Sequence, residues 1–348
     1  MTDPTHNRLP ADTEAQSHGN ADSSTADVGG GFSGTGLSNA LERLARGERA
    51  DLVALLHEVE IDVVLDGTKL TCHCYALKID GNGRPRVSEL AEAICESMTD
   101  FAIPRSRIED ARARDAQSGS TRNMTRLQNE ARSLFTDIAN SGEGGELLLF
   151  VLAEILLQLP QVLCKMSLKT NTRMHVHGVD GVHAGVDPDT GRLALYWGES
   201  KIYGDATAAI RECLASLAPM LVREGPQSGA SRDLQLLQRA MDVNDPALEL
   251  ALKQFLDPRH EAYNTVEFRG LCLVGFDCDA YPRTGAQQEA VVSAVLAQLP
   301  RWKQALTRRV QEEVLDGFAL HVFCVPFPDV ESFREHMRGF IGIRRAAA

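Results

Sequence analysis

Asp180, Glu199 and Lys201 are the residues of this chain whose types and spacing best suit chemistry. They lie between His177 and Lys201, where Pro188-Asp189-Thr190-Gly191 is a turn signal between two alternating runs. Two antiparallel strands are the natural reading. Pairing Asp187 with Arg192 across a four-residue loop sets Val186 opposite Leu193, Ala184 opposite Leu195, Val182 opposite Trp197 and Asp180 opposite Glu199. Side chains alternate along a strand, so these residues share one face, and directly opposed Cβ atoms stand roughly 4.5–5.5 Å apart. Lys201 returns to the same face. An apolar face therefore ends in two opposed carboxylates and an ammonium.

Two neighbouring carboxylates repel unless a proton or a cation sits between them. A hard divalent ion, Mg²⁺ or Mn²⁺, suits them because it prefers carboxylate oxygen and keeps water positions open for a phosphate. A lysine beside such an ion can hold or deprotonate an attacking water and steady the charge of a phosphoryl transition state. An Asp followed by Glu-x-Lys on the next strand is the signature of the PD-(D/E)xK nucleases. The competing reading is an exposed, salt-bridged strand end. The register argues against it, because it gathers all three groups on a face that is otherwise apolar.

Four motifs follow one another in order: Gly145-Glu146-Leu-Leu-Leu-Phe150, Lys165-Met-Ser-Leu-Lys169-Thr-Asn171, His177-Gly-x-Asp180-Gly-x-His183 and Gly198-Glu199-Ser-Lys201-x-Tyr203. Over about residues 142–205 the chain resembles HamA, the nuclease effector family of the Hachiman anti-phage system. The resemblance implies a metal-dependent DNase restrained by a HamB-like helicase subunit, with DNA as substrate. It also implies a glutamate on the first core helix that completes the metal site, a role that falls to Glu146. At a helix start a carboxylate is also favoured by the helix dipole alone. The implied architecture is α/β, a restriction-endonuclease-like mixed sheet flanked by helices, with an N-terminal α+β extension.

The chain has 348 residues, 43% of them hydrophobic, which permits a sizeable core. Its formal charge of −12 is unlike a free-standing DNA binder, whose affinity rests on phosphate contacts. A local basic groove, or a partner that delivers the substrate, is expected instead. Eight cysteines without a CxxC pair fit a reducing cytoplasm better than a disulfide framework. The N-terminus is polar and acidic rather than signal-like. The longest apolar run, Leu147 to Leu159, is interrupted by Glu154 and Gln158 and is too short to span a membrane. A cytoplasmic location follows as the expectation. No Gly-x-x-x-x-Gly-Lys-Ser/Thr loop occurs, so ATP binding is assigned to another subunit.

Three regions are expected. Residues 1–36, rich in Thr, Asp, Ser and Gly, read as a disordered tail. Residues 37–139 read as an α+β region available to a partner: a helix over 37–56, a hairpin around Asp66-Gly67, and helices at about 87–100 and 105–139, the last solvated or partner-facing. Residues 142–345 read as the nuclease domain, with helix, strands, helix, strand, helix, strand and helix in order. Its first helix is apolar on every side and must be buried. A strand is expected near Lys165–Asn171, a helix at about 204–222 and another at about 231–256. Strands over 266–276 and 318–326 alternate with helices at about 285–314 and 329–341.

Other groups compete for attention. Glu154, eight residues beyond Glu146, is a reserve ligand and as a buried carboxylate needs a partner. His175 and His177 share a strand face and with His183 could form a zinc centre, the basis of an alternative zinc hydrolase. His183 reads better as a hydrogen-bonding neighbour. Cys72-His73-Cys74 reads as buried strand cysteines. Lys165, Lys169 and Arg173 could meet phosphate or line a solvated edge. A further alternative keeps the core but makes it a non-catalytic adaptor that binds DNA or the helicase.

Overall fold

The computed structural model describes residues 34–135, 142–168, 180–222, 229–282, 285 and 287–342. Helices α1 (Gly34–Glu42) and α2 (Arg49–Val53) precede a hairpin of β1 (Leu56–Val64) and β2 (Leu70–Leu77). Helices α3 (Val87–Glu96), α4 (Met98–Ala102), α5 (Arg105–Ser118) and α6 (Arg122–Leu134) follow. Then come α7 (Glu143–Leu156), β3 (Gln161–Leu163), β4 (Gly181–Val186), β5 (Leu193–Tyr203) and α8 (Ala206–Leu221). The chain closes with α9 (Gly229–Ala240), α10 (Pro246–Phe255), β6 (Glu267–Asp277), α11 (Gln288–Glu312), β7 (Leu320–Phe327) and α12 (Val330–Ile341).

All seven strands form one mixed sheet in the order β1-β2-β7-β6-β5-β4-β3. The β3-β4-β5 end is an antiparallel meander, and β5, β6, β7 and β2 run parallel. Parallel neighbours need long crossovers, and α8 and α11 lie in those connections. This is the expected α/β architecture of a mixed sheet flanked by helices. The β1–β2 hairpin joins the sheet through β2 and β7, so residues 37–139 and 142–345 share one sheet and one hydrophobic core.

Helix α7 is apolar all round because it is covered all round. The sheet strands β4, β5 and β6 lie on one side, and α2, α3 and α4 of the N-terminal region lie on the other. Its most deeply buried charge, Glu154, has the partner that sequence reasoning could not name. Glu154 Oε1 and Oε2 accept from the Arg46 side chain at 2.7 and 3.1 Å and from its backbone N–H at 2.6 Å. The Gln161 backbone N–H at 2.9 Å and Arg105 at 3.5 Å complete the shell. Glu154 is therefore committed to joining the two regions, which removes it as a reserve ligand.

The same network corrects several element boundaries. The helix expected over 37–56 breaks between α1 and α2, where Gly47 adopts φ +84° and the loop carries Arg46 to Glu154. The helix expected over 105–139 is two helices. Gly119 turns the chain with φ +63°, and Asp115 folds inward to accept the Asn123 and Met124 backbone N–H groups, both at 2.9 Å. Its first residue is not solvated: Arg105 is buried and donates to the carbonyls of Leu44, Gln161 and Asp242. The 231–256 segment is also two helices, divided where Asp245 caps α10 with Pro246 in its first turn. Near Lys165 the strand is Gln161–Leu163, and Lys165–Leu168 is a 3₁₀ turn.

Candidate active site

The β4–β5 hairpin has the register read from the sequence. Val186 pairs with Leu193, Ala184 with Leu195, Val182 with Trp197 and Gly181 with Gly198, the last pair of the ladder, and Asp180 lies one residue beyond it. The turn fixes this register. Asp187 N–H donates to the Arg192 carbonyl at 2.9 Å, and Asp187 Oδ1 accepts from the backbone N–H groups of Asp189 and Thr190 at 3.1 and 2.8 Å. Gly191 supplies the positive φ of +66°. Arg269 of β6 binds the other Asp187 oxygen, and these contacts together hold the Asp187 carboxyl down at about 2, against the upward push of burial.

At the far end of the hairpin the structure brings Asp180, Glu199 and Lys201 together. The Asp180 backbone N–H donates to the Gly198 carbonyl at 2.8 Å. Its Oδ2 accepts from both the Ser200 backbone N–H and the Ser200 hydroxyl at 2.7 Å. Lys201 Nζ donates to Glu199 Oε1, and to the Ser200 carbonyl at 3.3 Å. Glu199 is 5% exposed, and Lys201 is half-buried. Helix α8 closes over this face: Cys213 Sγ donates to the Glu199 carbonyl at 3.3 Å, and Ser216 lies near enough to the Glu199 carboxylate to favour its ionised form.

Helix α7 packs on the opposite face of β5. A side chain on Gly198 would come 3.2 Å from the Gly181 carbonyl oxygen and 3.3 Å from Leu149, so the Gly198-Glu199 step needs its glycine for close approach. Gly145 lies against Ser200 in the same way, with 3.1 Å to Oγ from the position a Cβ would take. Glu146 follows Gly145 in the first turn of α7 and is half-buried. Among the described residues no three His, Cys, Asp or Glu side chains converge as a metal-ligand group. The assembled unit is thus the Asp180–Glu199 pair with Lys201, and Glu146 stands on the helix behind Ser200.

Electrostatics give the pair its character. Burial first, and then the charge of Asp180, push the Glu199 carboxyl up to about 7, against the pull of Lys201 and Ser216. Burial likewise pushes Asp180 up, opposed by Lys201, by the two Ser200 donors and by Lys165. Burial alone would pull the Lys201 ammonium down, but Glu199 and Asp180 carry it above its usual range. Two carboxylates that resist sharing negative charge, with both hydrogen bonds to Asp180 running to a single oxygen, are a donor set that a divalent cation fits.

The remaining candidates separate cleanly. His183 is buried, and its Nδ1 donates to the Leu159 carbonyl at 2.9 Å while burial lowers its pKa, so it is a neutral structural imidazole. All eight cysteines are free and buried. His73 Nε2 meets His321 Nδ1 at 2.9 Å on the neighbouring strand. Lys165 is buried and ion-paired with Asp233 of α9 at 2.8 Å. His175, His177, Lys169, Asn171 and Arg173 lie outside the described residues. Sequence reasoning missed Ser200, whose amide and hydroxyl hold Asp180, and Ser216 and Asp233. Only Ser200 carried a signal, being enclosed by the Glu199 and Lys201 motif.

Fold and site together define a mixed α/β protein with an acidic pair and a lysine at the open end of a strand hairpin. The chain belongs to the HamA family, whose family model matches residues 53–339, and so to the components of the Hachiman defence system. No curated protein matches it. Among the described residues no helix is long and apolar enough to cross a membrane.

Proposed function

We propose that this protein is a metal-dependent DNA nuclease, the effector of a Hachiman system that acts with a helicase subunit. The observation that carries the reading is the Asp180–Glu199 pair with Lys201 bonded to Glu199, at the end of an apolar strand face. Asp180 and Glu199 would hold Mg²⁺ or Mn²⁺, with Glu146 as the third carboxylate that the family resemblance implies. Bound there, the ion would supply Lewis acidity to the phosphate and acidify a water.

The chain's own residues divide the remaining work. Ser200 orients Asp180 by occupying Oδ2 and leaving Oδ1 to the site. Lys201 stays an ammonium because two carboxylates raise its pKa. In the loaded site it would position or activate a water and offset developing negative charge. Glu199, poised near neutrality, is the group able to exchange a proton as the site fills. The acidic chain lacks bulk positive charge for capturing DNA, which favours delivery by the helicase.

The test is cleavage of linear, nicked and circular DNA by the purified protein, alone and with its helicase, with and without Mg²⁺. Metal-dependent cleavage is expected, and Asp180→Asn, Glu199→Gln and Lys201→Ala are each expected to abolish it while the fold and the helicase complex persist. Full activity in the Glu199→Gln or Lys201→Ala protein would falsify the assignment. Binding of DNA or helicase without cleavage under any condition would instead support the adaptor reading.

A further inference from the structure

A cavity of about 560 Å³ opens between α9, α10 and the 3₁₀ turn Glu261–Thr265. That is the size of a small-ligand pocket. Leu234, Leu256 and Pro258 give it apolar walls, and Tyr263 gives it a ring. Helix α9 meets it with Leu234, Gln235 and Gln238, one face of the helix, while Asp233 and Leu237 are buried on the other. Gln238 Nε2 donates to the Leu256 carbonyl at 2.6 Å, which fixes the amide and leaves its Oε1 open to accept. The Gln235 amide and the Tyr263 hydroxyl have no hydrogen-bond partner among the described residues. The cations of the lining are already engaged, Lys253 with Glu249 at 2.5 Å and Arg259 with Asp257 at 3.0 Å. The cavity therefore suits a flat group with a polar edge better than a bare anion.

Tyr263 also ties the cavity to the site. Its ring centroid is 6.3 Å from that of Phe268, and Phe268 stacks on Trp197 at 6.2 Å with 7° between the planes. Trp197 precedes Glu199 by two residues on β5, so this row of rings ends on the sheet face that carries Glu199 and Lys201. A base laid against Tyr263 gains stacking whatever its identity, and side-chain amides can bond its edge. We propose that the cavity receives one unstacked base of the DNA strand, stacked on Tyr263 and hydrogen-bonded by Gln235 and Gln238. Single-stranded or frayed DNA is then the substrate class, because a base inside a duplex offers neither of its faces. Lys253 and Arg259 give up exposed carboxylate pairs, which are weak, for the flanking phosphates. This inference rests on the nuclease reading above and adds to it the form of DNA that is bound.

The experiment is fluorescence anisotropy of the full-length protein with a labelled oligothymidine strand and with a blunt duplex of equal length, in low salt and chelator so that nothing is cut. Wild type is expected to prefer the single strand. Tyr263→Ala is expected to weaken single-strand binding about tenfold, the scale of one lost base stack, with Tyr263→Phe close to wild type. Gln235→Ala, a change at an exposed position, is expected to weaken it about fivefold, the scale of one hydrogen bond. A wild type without preference for the single strand overturns the inference. So does single-strand binding unchanged in Tyr263→Ala and Gln235→Ala, or equal weakening on strand and duplex. Thymidine monophosphate serves as competitor, and displacement of the strand at equal concentration would make this a free-nucleotide site and overturn the assignment to DNA. Should Tyr263→Ala fail to fold, Tyr263→Leu, which keeps packing on Phe268 but offers no π face, decides together with Gln235→Ala. Strand binding as expected without any Mg²⁺-dependent cleavage overturns the nuclease reading alone. Metal-dependent cleavage with binding indifferent to Tyr263 overturns this inference alone.

Discussion

Glu199 is the residue in which structure and chemistry meet most directly. Burial and Asp180 raise its carboxyl to about 7 from an ordinary value of 4.5. A folded-state pKa above the unfolded one means that the contribution to stability is complete below the unfolded value and is lost as pH rises through the folded value. In the metal-free protein, the stability difference between wild type and Glu199→Gln is therefore expected to shift by roughly 3 kcal/mol against the wild type from about pH 5 to about pH 8. Urea denaturation across that range measures it, and a flat difference contradicts the burial of an ionising pair. Adding Mg²⁺ at the upper end is expected to recover the loss. Asp187, at the other end of the hairpin, behaves oppositely. Its carboxylate holds the turn and Arg269, so Asp187→Asn is expected to cost about 1–3 kcal/mol of stability yet leave cleavage per folded molecule unchanged. The exposed Asp189 gives neither effect. A cleavage defect in Asp187→Asn at full folding would place the metal pair elsewhere.

At the scale of elements, the helix that looks most like a plain hydrophobic rod carries the most demanding charge. Glu154 of α7 ties the α1–α2 loop through Arg46, the start of α5 through Arg105, and the start of β3 through the Gln161 backbone N–H. Replacing it with glutamine leaves Arg46 and Arg105 without their counter-charge in the interior, a loss of about 3–5 kcal/mol. Urea titration of Glu154→Gln is the measurement, and a change within 1 kcal/mol or so would show that solvent already shares the load. This element also explains why the first turn of α7 reaches the site at all. The network at its C-terminal end fixes its direction, and Gly145 and Gly198 let it approach β5 closely enough to set Gly145 against Ser200.

For the whole molecule, the shared sheet alters what a deletion can test. Residues 37–139 supply β1 and β2 to the sheet and the helices that cover α7. Their removal is expected to expose α7 and the β7 edge and to yield an aggregating fragment, not a nuclease core that has merely lost its partner. Circular dichroism and limited proteolysis of residues 142–345 settle this, and a monomeric fragment melting cooperatively would show two separable units. Helicase binding is better probed on the intact chain by charge reversal at exposed α5 and α6 positions such as Arg112, Arg122 and Arg126. Loss of co-purification in such a variant, with melting unchanged, is the expected result if that surface meets the helicase.

Local chemistry was enough for the hairpin. The turn of Pro188, Asp189, Thr190 and Gly191 set the register from Val186–Leu193 to Gly181–Gly198, which carried Asp180, one residue beyond the ladder, to the neighbourhood of Glu199. The sequence likewise determined that α7 is buried and that helices alternate with the later strands, since both are written in the spacing of apolar residues. It determined neither what covers α7 nor where the early hairpin pairs. Those depend on contacts such as Arg46 with Glu154 across 108 residues, and on β2 lying beside β7. No periodicity records pairings so distant in the chain. For the same reason the site read as three residues on two strands acquired its supports only in three dimensions. Ser200 is next to Glu199 in sequence yet serves Asp180. Elsewhere, Lys165 and Asp233 meet only because α9 folds back over the end of β3. Ion pairs between residues far apart in the chain are decided by packing, which brings charges together in a low-dielectric interior where they cannot remain alone.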